Sequence, residues 1–342
     1  MLVNRPVVVT MGDPAGIGGE ITLLTWRDHR DSLPPFCVFD DPERLKRLSK
    51  LTGIGCPVAE ITNIHEALAT SQNALPVFPL TQSVNSLPGD DSTADGAMVI
   101  ESIDRAIDAA MSGNAMAMTT NPIQKSLLYA AGFTAPGHTE YLGERAGLSA
   151  PPVMLIAGPN LKVVPVSIHV SLKEAIAALT TEEIVRTLEI TIASLKSDFG
   201  ISRPRVAVSG LNPHAGESGT MGREEINIIA PAIKQVSNDA DADVTGPLAG
   251  DTMFHNIARD TYDVAVCMYH DQALIPIKTL DFDDGVNVSV GLPFVRTSPD
   301  HGTAYNIAGT ATANPTSLFS AIRMAAEIAE CRQRETDGFA VG

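Results

Sequence analysis

Short apolar runs, each closed by turn-forming residues, punctuate the chain: PVVVTM (6–11), FCVFD (36–40), AMAMTT (115–120), VMLIAG (153–158), LKVVPVSI (161–168), RVAVSGL (205–211) and DVAVCMY (263–269). They are nearly continuous rather than alternating, which is the pattern of strands covered on both faces. Helical periodicity lies between them. In 92–113, Ser92 and Asp95 make an N-terminal cap signature, and Val99, Ile100, Ile103, Ala106, Ile107 and Ala110 share one face before Gly113 ends the run. In 181–199, Ile184, Leu188, Ile192, Leu195 and Phe199 recur at helical spacing. Thr81–Asp91 is polar and reads as a surface loop. Strand–helix alternation over this length predicts an α/β protein built on mainly parallel sheet.

A chain of 342 residues exceeds the usual single-core size, so two lobes are expected. The expected division is 1–125 plus 285–342 as a first lobe and 126–284 as a second. A formal charge of −16 opposes binding to nucleic acid or an anionic membrane and requires that any anionic substrate meet a local basic pocket. The four cysteines are scattered without a CxxC pair, and no apolar stretch is long enough for a membrane span or signal segment. The expectation is a cytoplasmic protein.

The first strand runs into Gly12-Asp13-Pro14-Ala15-Gly16-Ile17-Gly18-Gly19, with Asp40 and Asp41 some twenty residues on. The arrangement approaches a dinucleotide fingerprint, but the spacing fails: from Gly16 the third glycine position is Ile21. The crowded glycines still point to a close backbone approach at the sheet's carboxyl edge.

Histidines at His138, His169, His214 and His270 follow apolar strands or sit in turn-like loops. Three neutral imidazoles converging at a sheet's carboxyl edge would suit zinc, cobalt or a similar divalent ion with one position open for substrate. No HxxxH or HxxEH pair is present, so the spacing alone favours hydrogen-bonded histidines without metal. Asp271 can orient an imidazole or cap the turn after it. Lys278, Asn287 and Arg296 lie on strand-like apolar segments, where a buried cation needs a partner. They are natural anchors for phosphate and carboxylate, or else partners of Asp281, Asp283 and Asp284.

Together, GDPAGIG (12–18), PGHTE (136–140), GLNPHAGE (210–217), GPLAGDT (246–252), MYHDQ (268–272) and GVNVSVGLPFVRTSPDHGTA (285–304) resemble the 4-hydroxythreonine-4-phosphate dehydrogenase family of pyridoxal phosphate biosynthesis. The resemblance spans nearly the whole chain, in order. It implies metal ligands at His169, His214 and His270 and substrate contacts at His138, Thr139, Lys278, Asn287 and Arg296, with Asp251 matching an acidic residue close to the site; Lys278 and Asp251 are the candidate proton carriers. It further implies a homodimer whose metal site is completed between chains. The TTNPIQK stretch (119–125) departs from the family's form, with Gln124 in place of a histidine.

A second stretch, DHGTA (300–304) through IAG (307–309) and ANP (313–315), is similar to the adenosine-binding loop of the isocitrate and isopropylmalate dehydrogenases. That likeness implies two α/β lobes with the active site between them. It also implies NAD or NADP bound by His301, Gly302, Thr303, Ala304 and Asn314, within a cofactor loop at 300–315. The activity so implied is metal-dependent oxidation of 4-hydroxythreonine 4-phosphate at C3, then decarboxylation to 3-amino-2-oxopropyl phosphate, with zinc, magnesium or cobalt. A paralogous dehydrogenase of threonate or erythronate 4-phosphate is the alternative.

Overall fold

Each of the seven apolar runs contains a strand. The structure, a computed structural model, describes residues 5–90, 94–133, 135, 137–239 and 241–339. Its strands are β1 (Val7–Thr10), β2 (Phe36–Asp40), β3 (Val58–Glu60), β4 (Leu75–Pro79), β5 (Ala117–Thr119), β6 (Val153–Ala157), β7 (Lys162–Pro165), β8 (Arg205–Ser209), β9 (Asp243–Leu248), β10 (Val264–Cys267), β11 (Val286–Val290) and β12 (Arg296–Pro299). The chain forms two compact units, Met1–Pro152 with Leu292–Gly342, and Val153–Gly291.

In the first unit the strand order is β3-β4-β2-β1-β5-β12, and the paired strands are parallel. β1 and β2 are buried along their whole length, as their continuous apolar character predicts. The predicted helix of 92–113 spans Gly96–Met111; its expected cap residue Ser92 lies outside the described residues. Met98, Val99, Ile103, Ala106 and Ile107 on that helix join Leu127, Leu128, Phe133 and Leu142 in one core cluster. Full burial of each larger side chain contributes roughly 1.5–3 kcal/mol. This cluster is why residues 126–152 pack with the first unit, although a division at 125 and 285 is expected from the sequence.

In the second unit the order is β11-β6-β7-β10-β8-β9. β7, β10, β8 and β9 pair in parallel, whereas β6 pairs antiparallel with both β11 and β7. The short turn between β6 and β7 leaves no room for a crossover helix, so that pair has to be a hairpin. The helix Thr181–Ser197 buries Ile184, Leu188, Ile192 and Leu195, with the Thr180 hydroxyl accepting the Glu183 N–H at 3.2 Å. Lys278 departs from expectation: it lies on the helix His270–Leu280, not on a strand. No described helix is long and apolar enough to cross a membrane.

Candidate active site

β7, β10 and β8 are adjacent and parallel, so their carboxyl ends emerge on one edge of the second unit's sheet. His169 follows β7, His270 follows β10, and His214 follows β8. Open α/β sheets bind ligands at such an edge. The His169 and His270 rings lie 5.9 Å apart between centroids, on the wall of a pocket of about 230 Å³ shared with Tyr269 and Asp271. His214 lines an adjoining pocket of about 520 Å³ with Asp251, Gln272, and the same Tyr269 and Asp271. Lys278 stands two turns beyond His270 on its helix, its Nζ 5.5 Å from the centre of the Phe282 ring.

Two side chains hold this edge together. The Gln272 carbonyl oxygen accepts the Met268 N–H at 2.8 Å, and its amide donates to the Gly210 carbonyl at 2.7 Å. It thereby ties the end of β10 to the end of β8. Glu225, 3 % exposed, accepts the backbone N–H groups of Leu211 (2.9 Å) and Asn212 (2.7 Å) on Oε1 and the Asn212 side-chain amide (3.0 Å) on Oε2. Burial works to raise the Glu225 carboxyl's pKa, but the hydrogen bonds from Asn212 and Leu211 outweigh it and hold it below the usual range. Neither residue stands out from spacing alone, although Gln272 closes the MYHDQ string.

The donor set fits a divalent cation in its chemistry. Asp271 Oδ1 lies 2.7 Å from His270 Nδ1, the kind of carboxylate partner that orients a ligating imidazole through its other nitrogen. Among the described residues no three His, Cys, Asp or Glu side chains gather as a complete ligand group. One copy of the chain brings His169 and His270 side by side and keeps His214 in the next pocket.

In the first unit, the Arg296 guanidinium is buried, with Nη2 and Nε donating to the Thr120 hydroxyl at 2.6 and 3.2 Å. Burial lowers its pKa to about 10, so it stays charged at neutral pH. His138 opens the helix His138–Arg145 beside Thr139. The residue is half-buried overall, yet its Nε2 is inaccessible and lacks a hydrogen-bond partner. Burial first, then the Arg296 charge, pushes the His138 pKa down to about 3, so the imidazole is neutral. In the second unit, Asn287 Oδ1 is likewise buried and unpartnered. Such an atom costs about 1–3 kcal/mol unless a ligand satisfies it. Both orphans belong to residues expected to contact substrate.

The loop expected to hold NAD also lies in the first unit. His301 and Gly302 are exposed, a Cβ at Gly302 would meet open space, and Ala304 is left-handed at φ +46°. This open backbone fits a ligand lying along it. The Asn314 carboxamide oxygen accepts from Thr316 N–H (3.0 Å) and hydroxyl (2.7 Å), which caps the helix Thr316–Phe339. The glycine-rich stretch cradles this loop: the Tyr305 hydroxyl donates to Asp13, and the Gly309 N–H donates to Glu20 at 2.7 Å. Asp40 is committed to Arg44 at 2.6 Å, both buried, and Asp41 caps the next helix through the Glu43 N–H. Neither carboxylate is placed as the ribose ligand of a dinucleotide fingerprint. A shallower depression of about 870 Å³ in this unit, lined by His65, Phe78 and Arg105, holds none of the expected residues.

A family model described as pyridoxal phosphate biosynthetic protein PdxA matches residues 32–325. A relative from Bradyrhizobium diazoefficiens, named 4-hydroxythreonine-4-phosphate dehydrogenase, is 50% identical over 340 residues, covering 96% of this chain and 98% of its own. One of the same name from Zymomonas mobilis is 43% identical, over 96% of this chain and 97% of its own. The crystal structure of a 4-hydroxythreonine-4-phosphate dehydrogenase from Klebsiella pneumoniae superposes with a TM-score of 0.84 at 36% identity, covering 95% of this chain and 98% of that one. A terephthalate 1,2-cis-dihydrodiol dehydrogenase from Burkholderia xenovorans superposes at 0.64 with 27% identity, over 94% and 98% of the two chains.

Proposed function

The chain belongs to the family of pyridoxal phosphate biosynthetic protein PdxA, and from that premise we propose that it oxidises 4-hydroxythreonine 4-phosphate at C3 with NAD or NADP. The oxidised acid then loses CO₂ to give 3-amino-2-oxopropyl phosphate. The observation that carries this reading is the delivery of His169, His214 and His270 to one sheet edge by three neighbouring parallel strands.

The imidazoles would hold a divalent ion, zinc by donor type or else magnesium or cobalt, which supplies Lewis-acid charge stabilisation at the C3 oxygen in both steps. NAD or NADP, along the 301–304 loop and Asn314, supplies the hydride acceptor. The chain does the rest. Arg296, held in place by Thr120, offers a permanent cation to the phosphoryl or carboxylate group. His138 and Asn287 each offer a buried, unpartnered atom that a ligand would satisfy, and Thr139 and Lys278 are the further substrate contacts of this reading. Asp251, on the wall with His214, and Lys278, on the helix of His270, are the proton carriers of this scheme.

A homodimer with a shared site, implied by the family resemblance, is part of this reading; the placement of His214 in a pocket next to that of His169 and His270 supports it. The second unit then carries both the metal ligands and the dimer contacts. The four cysteines are free, in keeping with a reducing cytoplasm.

Gln124, which precedes the helix Lys125–Ala130 without a side-chain capping bond and stands where the family carries a histidine, favours one competing reading: a dehydrogenase of threonate or erythronate 4-phosphate. Purified protein assayed for NADH growth with each phospho-acid decides between them. The proposal expects 4-hydroxythreonine 4-phosphate to be preferred by at least roughly tenfold in kcat/KM. A preference for either sugar acid transfers the assignment to the paralogue.

A further inference from the structure

His214 sits in a backbone that L-residues avoid. Residues His214, Ala215, Gly216, Glu217 and Ser218 have φ of 51, 51, 79, 41 and 55°, one turn of left-handed helix. Four of the five are not glycine, and each carries roughly 1–2 kcal/mol of steric cost in that conformation. Such a turn persists only where its surroundings over-determine it. What grips its entrance is the Glu225 carboxylate, through Leu211, Asn212 and the Asn212 amide. Glu225 itself opens a π-wound turn, Glu225–Ile229, a rare local geometry that often marks functional positions. Two uncommon backbone forms therefore meet at one buried side chain.

We propose that Glu225 is the positioning residue for His214: its carboxylate locks the left-handed turn and so fixes the reach of the imidazole toward the divalent ion. The inference rests on the metal reading above and adds a residue that contacts neither cation nor substrate. Chemistry requires a carboxylate here. A glutamine at 225 would keep one acceptor for the two backbone N–H groups but turn an amine toward the Asn212 amide. Rotating Asn212 to accept that amine would set its oxygen against Glu224 Oε2, now 2.7 Å from the Asn212 nitrogen.

The test compares wild type, Glu225→Gln and His214→Ala as metal-free proteins. Cobalt(II) affinity is measured by calorimetry, and amide hydrogen exchange across residues 209–222 by mass spectrometry. E225Q is expected to exchange faster in that segment alone and to bind cobalt roughly 10- to 100-fold more weakly, the usual loss when a partner behind a ligand is removed. Unchanged exchange, or faster exchange with unchanged cobalt affinity, overturns the positioning role. Wild type failing to bind cobalt, or H214A binding it as wild type does, overturns the metal reading and this inference with it. Should E225Q not fold, Asn212→Ala, which spares both backbone bonds, is expected to weaken cobalt binding by a smaller factor; no change in N212A overturns the role as well.

Discussion

The backbone N–H of Ile17 donates to the carbonyl oxygen of Thr303 at 3.0 Å, so the glycine-rich loop that follows β1 is seated on the loop proposed to carry NAD. The approach is so close that a Cβ on Gly16 would lie 2.8 Å from that same oxygen. Gly12, at φ +70°, is under equal pressure from Asn121, whose Cβ would be 2.6 Å away. The crowded glycines therefore serve packing within the unit: they let this backbone lie directly against Thr303.

Gly16→Ala should accordingly push the 303–305 backbone outward. The expected result is a five- to tenfold rise in KM for NAD, equivalent to roughly 1–1.4 kcal/mol, with KM for the phosphorylated substrate nearly unchanged. Steady-state kinetics with each substrate varied in turn checks it. An equal rise for both, or none for NAD, argues against the cradle.

Arg296→Lys tests whether the guanidinium fork matters beyond its charge. Lysine cannot reproduce the paired donation to Thr120, and an ammonium is a poorer match to a phosphoryl or carboxylate group. A loss of roughly 2–3 kcal/mol in transition-state stabilisation is expected, read as a large fall in kcat/KM for the phospho-substrate. Cobalt affinity should be unaffected. Near-normal kcat/KM in R296K would remove Arg296 from the substrate site.

His138 gives a pH dependence of stability whose sign is fixed by its lowered pKa. The native imidazole resists protonation down to about pH 3, while the unfolded one takes up a proton near its ordinary value of 6.5. Between these limits the unfolded state binds more protons, so stability falls as pH drops below about 6.5. Because the residue is only half-buried, the loss between pH 7 and 5 is set at on the order of 1 kcal/mol. Urea unfolding of His138→Gln and wild type at both pH values should show that portion missing from the variant. Equal pH sensitivity in the two proteins would mean that the imidazole is not held neutral.

The legible part of the molecule was the part buried on both sides. Seven strands could be read because their apolar runs are continuous, and two helices because their faces repeat. β9 was hidden at an edge, with none of its residues buried and Gly246 and Pro247 within it. The segments of Asn287 and Arg296 read as strand-like and are strands, β11 and β12. The ALIPIK stretch before Thr279 reads as a strand because Pro276 interrupts a helical pattern, yet the helix continues through it. For the site, the histidines announced themselves by following strands. The residues that shape their loops did not, since Glu225 lies eleven positions from His214 and nothing in the local sequence declares a left-handed turn built mostly from residues other than glycine.

The most direct measurement follows NADH absorbance in purified protein given 4-hydroxythreonine 4-phosphate and NAD or NADP, before and after exhaustive chelation, and again after a divalent ion is restored. The account predicts substrate-dependent formation of reduced cofactor that chelation abolishes and zinc, magnesium or cobalt restores. Turnover that survives complete removal of metal, or no reduction of either cofactor with this substrate, would contradict it.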